Sequence, residues 1–271
     1  MKKTILVTGA SSGIGKATAK LFHQNGWNVI ATMRQPEKEE ELVNLDDVLV
    51  ARLDVLDATS IEAAIESGIK RFSRIDVLLN NAGFGAYGPL EATSIETIER
   101  QFDTNVIGLL RTSKAILPHF RANKQGVIVN ISSLGGKIAF PLGSLYHGTK
   151  FAVEGLSEAL SYELEAIGVK VKIIEPGMIR TDFGGRSFSF SNDENIAEYQ
   201  PLVQKVIEGF GAAQDAASEA GLVAEVIYRA VTDNSAQLRY TAGQDAAALI
   251  STRKSDSDEV FFSNIRKQFM L

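Results

Sequence analysis

At 271 residues the chain can build one large α/β domain or two small ones, and its 45% hydrophobic and 23% charged residues are the balance of a globular protein with a sizeable core, which excludes a disordered chain. Acidic residues outnumber basic ones 33 to 28, and the resulting net charge of −5 provides no broad electrostatic footprint for nucleic acid. Cysteine is absent, so disulfides, thiolate metal sites and a cysteine nucleophile are excluded.

The apolar run at residues 4–8 breaks at Gly9 into a Ser/Gly turn, which predicts a first strand and not a signal peptide. A helix follows, with Ile14, Ala17, Thr18, Leu21 and Phe22 on one face and a stop at Asn25-Gly26. Further strands are expected at residues 28–32, 48–53, 75–79, 126–131 and 169–174, each separated by a segment able to form a crossover helix. Thr93-Ser94-Ile95-Glu96 fits a capping box that opens a long helix through Thr104 towards Phe120, and residues 145–167 read as another. Past Pro176 the pattern loosens through Phe183-Gly184-Gly185-Arg186 to Asn195, as in an irregular loop or lid. A strand at 238–240 and a helix carrying Val260, Phe261, Ile265 and Phe269 close the chain.

This alternation predicts an α/β fold with a doubly wound, Rossmann-type parallel sheet in three layers, α/β/α. Residues 1–271 are expected to form a single domain, with a lid at about 183–215 and a C-terminal extension at about 241–271. No apolar stretch approaches the length that crosses a bilayer, so a cytoplasmic protein without a membrane span is expected.

Thr8-Gly9-Ala10-Ser11-Ser12-Gly13-Ile14-Gly15 lies between the first strand and the first helix. Glycines there let backbone approach a pyrophosphate, and the helix N-terminus favours its charge. A tight turn with no ligand is the competing reading, and the spacing departs from G-x-G-x-x-G. At the end of the second strand, Ala31-Thr32-Met33-Arg34 offers no carboxylate for a ribose hydroxyl, whereas the Arg34 fork suits a 2′-phosphate. NADP(H) is therefore favoured over NAD(H), against the alternative that Arg34 is a solvated surface residue.

Tyr146 and Lys150 stand four apart on one face of the expected helix. For a tyrosine hydroxyl to act near neutral pH its pKa must fall from about 10 by about 2–3 pH units, or about 3–4 kcal/mol. An ammonium at about 4–5 Å, in an environment of effective dielectric about 20, supplies an interaction of that order. An amphipathic surface pair would have the same spacing.

The glycine turn, Asn80-Asn81-Ala82-Gly83 after the fourth strand, Ser133 after the fifth, then Tyr146, Lys150 and Pro176-Gly177 occur in one order along nearly the whole chain. In this the sequence resembles the classical short-chain dehydrogenase/reductases, and within them the branch of 17β-hydroxysteroid and retinol dehydrogenase-like enzymes. The resemblance implies that Tyr146 donates or removes the proton at the substrate oxygen, that Ser133 hydrogen-bonds that oxygen, and that Lys150 lowers the tyrosine pKa and binds the nicotinamide ribose. It also implies that Asn105 holds a water of the proton relay. Cofactor contacts are implied for Gly9, Ser11, Ser12, Gly13, Ile14, Gly15, Asp54, Val55, Asn81, Ala82, Gly83, Pro176, Gly177 and Thr181 as well as Arg34, Tyr146 and Lys150. Asp54 could instead cap a loop, Asn105 could be a capping or helix-surface amide, and Ser133 could be a polar residue ending a strand.

The three histidines need no catalytic role; His147 points off the Tyr146 face, and no spacing of ligands suggests a metal. Leu134, Phe140 and Leu142, with Phe84, Tyr87, Phe183 and Phe188, can line an apolar pocket, which points to a lipophilic ketone, aldehyde or alcohol as the small-molecule partner. The expected function is hydride transfer between nicotinamide and a carbonyl or secondary alcohol. The alternative is a catalytically silent nicotinamide-binding sensor or scaffold. A sugar epimerase or dehydratase would need a larger C-terminal domain than this chain has room for. By resemblance alone the assembly is a homodimer or homotetramer.

Overall fold

The computed structural model describes residues 2–181, 187–214 and 217–271. Its centre is a seven-stranded sheet of β1 (Thr4–Thr8), β2 (Asn28–Met33), β3 (Val48–Arg52), β4 (Val77–Asn80), β6 (Gly126–Ile131), β7 (Val169–Pro176) and β11 (Arg239–Ala242). All pairings are parallel, in the order β11-β7-β6-β4-β1-β2-β3, so the chain reverses its winding between β1 and β4. A crevice opens at the carboxyl ends of strands at such a switch point.

β1 and β2 are buried at every position, with consecutive apolar residues at 5–7 and 29–31, as strands covered on both faces by crossover helices must be. Ile5 and Val7 face α1 (Gly13–Gln24) and α7 (Ala220–Thr232), in a core with Phe22, Trp27 and Ile227. Leu6 faces the opposite layer of α2 (Ala58–Phe72), α4 (Gly108–Asn123) and α5 (Ser144–Glu165), where Ile61, Ile116, Phe120 and Leu164 are buried. Burying each such side chain contributes roughly 1.5–3 kcal/mol.

The long helix expected from residue 93 is present as α3 (Ile95–Phe102) and α4, joined by a π-helical turn at Asp103–Ile107. Its cap is one residue later than expected: the Ser94 hydroxyl accepts from the Thr97 amide at 3.2 Å. Past Pro176 the chain is more regular than its composition suggests. β8 (Ile179–Arg180) pairs with β10 (Ser218–Glu219), β9 (Phe188–Phe190) pairs with β5 (Gly85–Tyr87), and α6 (Gln200–Gln214) follows. The C-terminal segment holds α8 (Gln244–Ser255), which the sequence reading lacks, before α9 (Asp258–Gln268). These helices bury Ile250, Phe261, Ile265 and Phe269 against Leu134 and Ile138, roofing the carboxyl end of β6. Val260, expected on the same face, is exposed. Among the described residues no helix is long and apolar enough to cross a membrane.

Candidate active site

The glycine turn has the shape of a phosphate cradle. Gly9 and Gly13 hold φ of +70° and +53°, where a side chain is strained. A Cβ on Gly15 would collide with the Gly9 carbonyl oxygen and stand 2.6 Å from Asn81 Nδ2. Ser12 is the N-cap of α1, yet its hydroxyl makes no capping bond and the first turn has no acidic residue. The amides there are thus free of a side-chain acceptor, an arrangement that suits an anion. Ser11 is exposed, and Ile14 packs against the core.

Asn81 ties this turn to the end of β4. Its Nδ2 donates to the carbonyls of Thr8 and Gly9 at 2.9 and 3.1 Å, while the Thr8 hydroxyl accepts from the Asn81 and Ala82 amides and donates to Leu79. Thr8, which opens the glycine motif but was not expected to contact the cofactor, is therefore the pin of the crevice. Gly83 gives room to Asn105: a Cβ there would be 3.0 Å from Asn105 Oδ1.

At the end of β2, Arg34 is exposed, and among the described residues it has no ion-pair partner. Asp54 is half-buried and its Oδ1 accepts from the Leu56 amide at 3.0 Å, so the loop-capping role is present at that position; Val55 is buried below Gly108. On the other side of the crevice, Gly177 donates to the Ala242 carbonyl, and Asp245 accepts from the Met178 amide at 2.7 Å. That holds the Pro176-Gly177 turn so that Thr181 faces Gly13, whose added Cβ would lie 3.2 Å from Thr181 Cβ.

Ser133, Tyr146 and Lys150 converge where β6 meets α5, all three buried. Ser133 hydrogen-bonds the Tyr146 hydroxyl. Lys150 Nζ lies 5.8 Å from the centre of the Tyr146 ring and donates to the Ile131 carbonyl at 2.8 Å. Burial pushes Tyr146 up to about 12, only partly offset by Ser133, and brings Lys150 down to about 8, against the pull of Glu154. Burial thus moves the tyrosine in the direction opposite to the expected lowering, and the offset comes from Ser133. Asn105 joins the group through Thr149: its Nδ2 donates to the Thr149 hydroxyl at 3.1 Å, and that hydroxyl donates to the Tyr146 carbonyl at 2.7 Å.

Aromatic side chains cover the triad. The rings of Tyr87 and Tyr146 are 5.5 Å apart, and Tyr87 also meets Phe188 and Phe210. Phe140 packs on His147 and Phe269, while Leu134 and Leu142 join the C-terminal helices. Phe84 is buried beneath Arg100. Phe183 lies outside the described residues. His147 is buried, with its ring edge-on to that of Tyr146 at 5.7 Å between centres: Nε2 accepts from the Phe140 amide at 3.0 Å and Nδ1 faces the Gly135 carbonyl at 2.9 Å. These bonds brace the turn after β6, and burial lowers the His147 pKa.

The family model described as short chain dehydrogenase matches residues 3–191. An uncharacterized oxidoreductase of Schizosaccharomyces pombe is 46% identical over 239 residues, which is 88% of this chain and all of that protein. A short-chain dehydrogenase structure from Streptomyces avermitilis superposes with a TM-score of 0.83 at 35% identity, covering 98% of this chain and 96% of that one. The structure of ElxO with NADP bound superposes with a TM-score of 0.75 at 30% identity, covering 92% and 100%.

Proposed function

The chain belongs to the short-chain dehydrogenase family of oxidoreductases, and we propose that it is an NADP(H)-dependent enzyme that interconverts a lipophilic ketone or aldehyde and its alcohol. The observation that carries this reading is the convergence of Ser133, Tyr146 and Lys150 beside the glycine crevice. The crevice fits a dinucleotide: its glycines leave the space that a Cβ would fill, and the first turn of α1 lacks a side-chain cap. When bound, nicotinamide supplies or accepts the hydride.

The protein's own residues handle the proton. Ser133 fixes the substrate oxygen, and Tyr146, protonated at neutral pH, gives that oxygen its proton during reduction. In oxidation the proton returns to Tyr146, and the Lys150 ammonium stabilises the phenolate from which it was lost. Asn105 holds the π-helical turn against Phe84 and Thr149, which keeps the Tyr146 helix in register. Arg34 reads the 2′-phosphate, a role supported by its exposure and its open guanidinium fork. Thr181, Gly177, Asp54 and Val55 border the remaining cofactor surface.

Tyr87, Phe140, Phe188 and the α6, α8 and α9 helices form an apolar cover that favours a lipophilic substrate. Phe188 and α6 from the expected lid at about 183–215, with the extension at about 241–271, are assigned the substrate wall of a single domain; residues 183–186 and 215 of that lid lie outside the described residues. Exposed Phe102, Ile107 and Phe151 on α3, the π-helical turn and α5 support a homo-oligomer.

The test is consumption of NADPH and NADH against ketones and aldehydes from steroids to small sugars. Preference for NADPH with an apolar carbonyl supports the reading. Tight NADPH binding without turnover on any carbonyl overturns it.

A further inference from the structure

Directly behind Lys150 lies a buried ionic cluster that the proposed chemistry does not use. Glu154, one turn further along α5, is 4% exposed. Its Oε2 accepts from Arg239 Nε at 2.8 Å and lies 3.5 Å from Lys137 Nζ. Glu175, the residue before Pro176, is 3% exposed; its Oε1 is 3.8 Å from Arg239 Nε and its Oε2 accepts from Thr241 at 3.2 Å. Three buried atoms here have no hydrogen-bond partner: Ser132 Oγ, Glu154 Oε1 and Glu175 Oε1. The absent Cβ of Gly136 marks how tightly they gather, since it would lie 2.6 Å from Ser132 Oγ, 2.9 Å from the Lys150 carbonyl oxygen and 3.0 Å from Glu154 Cγ.

Burying a carboxylate with one oxygen unpaired costs several kcal/mol in an apolar setting. Arg239 and Lys137 balance only part of that, and both lie at the outer side of the cluster, with about a third of their side chains exposed. On the inner side the cation is Lys150, four residues away on the same helical face.

We propose that Glu154 is the buried counter-charge of Lys150, a positioning residue that keeps the ammonium protonated beside Tyr146. This rests on the role proposed for Lys150. The groups facing the pair are Tyr146 and Glu158 on α5, Lys137 from the turn after β6, Glu175 on β7 and Arg239 on β11, with Tyr87 of β5 against Tyr146. Burial and the neighbouring Glu154 raise the Glu175 carboxyl above its ordinary range, and Glu154 raises Lys150 against the effect of burial.

Removing the Glu154 charge leaves the ammonium unsupported, so its pKa falls and it loses its proton at lower pH. The test follows the Nζ resonance of Lys150 in protein labelled with nitrogen-15 lysine, assigned by its absence in Lys150→Met, as pH is raised. Glu154→Gln is expected to lower the Lys150 midpoint by about one pH unit. Glu154→Asp, which keeps the charge, leaves it near the wild-type value, and Glu175→Gln lowers it by less than Glu154→Gln does. An unchanged midpoint in Glu154→Gln, or an equal fall in Glu175→Gln, overturns the proposal. The reading needs no turnover. Measured alongside, the alkaline limb of carbonyl reduction moves down with the midpoint in Glu154→Gln. A midpoint that moves in an enzyme with no turnover on any carbonyl counts against the proposed function and leaves the counter-charge standing.

Discussion

The carboxamide of Asn105 grips both backbone polar groups of Phe84: Nδ2 donates to its carbonyl at 2.9 Å, and Oδ1 accepts from its amide at 3.0 Å. Phe84 leads directly into β5, whose Tyr87 lies on the Tyr146 ring. Stability and the site therefore both depend on this side chain. Asn105→Ala leaves the buried Phe84 amide unmatched, while the Phe84 carbonyl keeps the bond from Gln101 Nε2 at 2.9 Å, and urea unfolding should record a loss of about 1–2 kcal/mol. Turnover should drop as well, because β5 then depends on Gln101 alone, which holds the Phe84 carbonyl and the Ala86 amide. A variant as stable as the wild type would mean that Phe84 finds other partners.

Arg34 should discriminate between cofactors. A charge-assisted bond to phosphate is worth about 1.5–3 kcal/mol, so Arg34→Ala should weaken NADPH about tenfold or more and leave NADH almost unchanged. Titration of both reduced cofactors by fluorescence reads the ratio. An equal effect on the two removes Arg34 from phosphate recognition.

Two glycines should respond in opposite directions. Gly15→Ala drives a methyl into the Gly9 carbonyl and towards Asn81 Nδ2, both parts of the crevice, so cofactor binding should be lost and thermal stability reduced. Gly155, in the exposed face of α5, has nothing within 4 Å of an added Cβ. Gly155→Ala should stabilise by about 0.5–1 kcal/mol through helix propensity alone, with cofactor affinity intact. Loss of stability there would indicate that the surface is packed against another chain.

The sheet was legible in the sequence because its strands are short apolar runs closed by turn residues, and the crevice because its glycines and Asn81 sit at strand ends. β5 and β9 were not, since three-residue strands such as Gly85–Tyr87 and Phe188–Phe190 are specified by their pairing with each other and not by a local pattern. α8 escaped because Gln244-Asp245-Ala246-Ala247 carries no strong apolar stripe, and only Ala246 and Ile250 are buried. Among site residues, Ser133, Tyr146 and Lys150 were visible through their order and spacing. Glu154 had a local signal in its four-residue offset from Lys150, but the partner that makes its burial tolerable, Arg239, is 85 residues away. The direction of the Tyr146 shift depends on burial, which no spacing encodes.

Lys150 should make stability depend on pH with an identifiable sign. Its folded pKa is about 8 against an ordinary 10.5. At pH 7 folded and unfolded chains both hold the proton, and the folded chain bears the cost of burying it. As pH rises from about 8 to about 10.5 the folded chain releases the proton first; the unfolded state then binds more protons, and stability rises. The contribution is present above the unfolded pKa and lost as pH falls through the folded one. Lys150→Met removes the buried charge, so it should exceed the wild type in stability at pH 7, by on the order of 2 kcal/mol after allowing for the lost bond to Ile131. That advantage should shrink as pH approaches about 9.5. Urea unfolding of both proteins between pH 7 and about 9.5 tests this below the range in which Tyr146, with its raised pKa, begins to lower stability above about pH 10. A difference that stays constant across that window would mean Lys150 keeps its ordinary affinity for the proton.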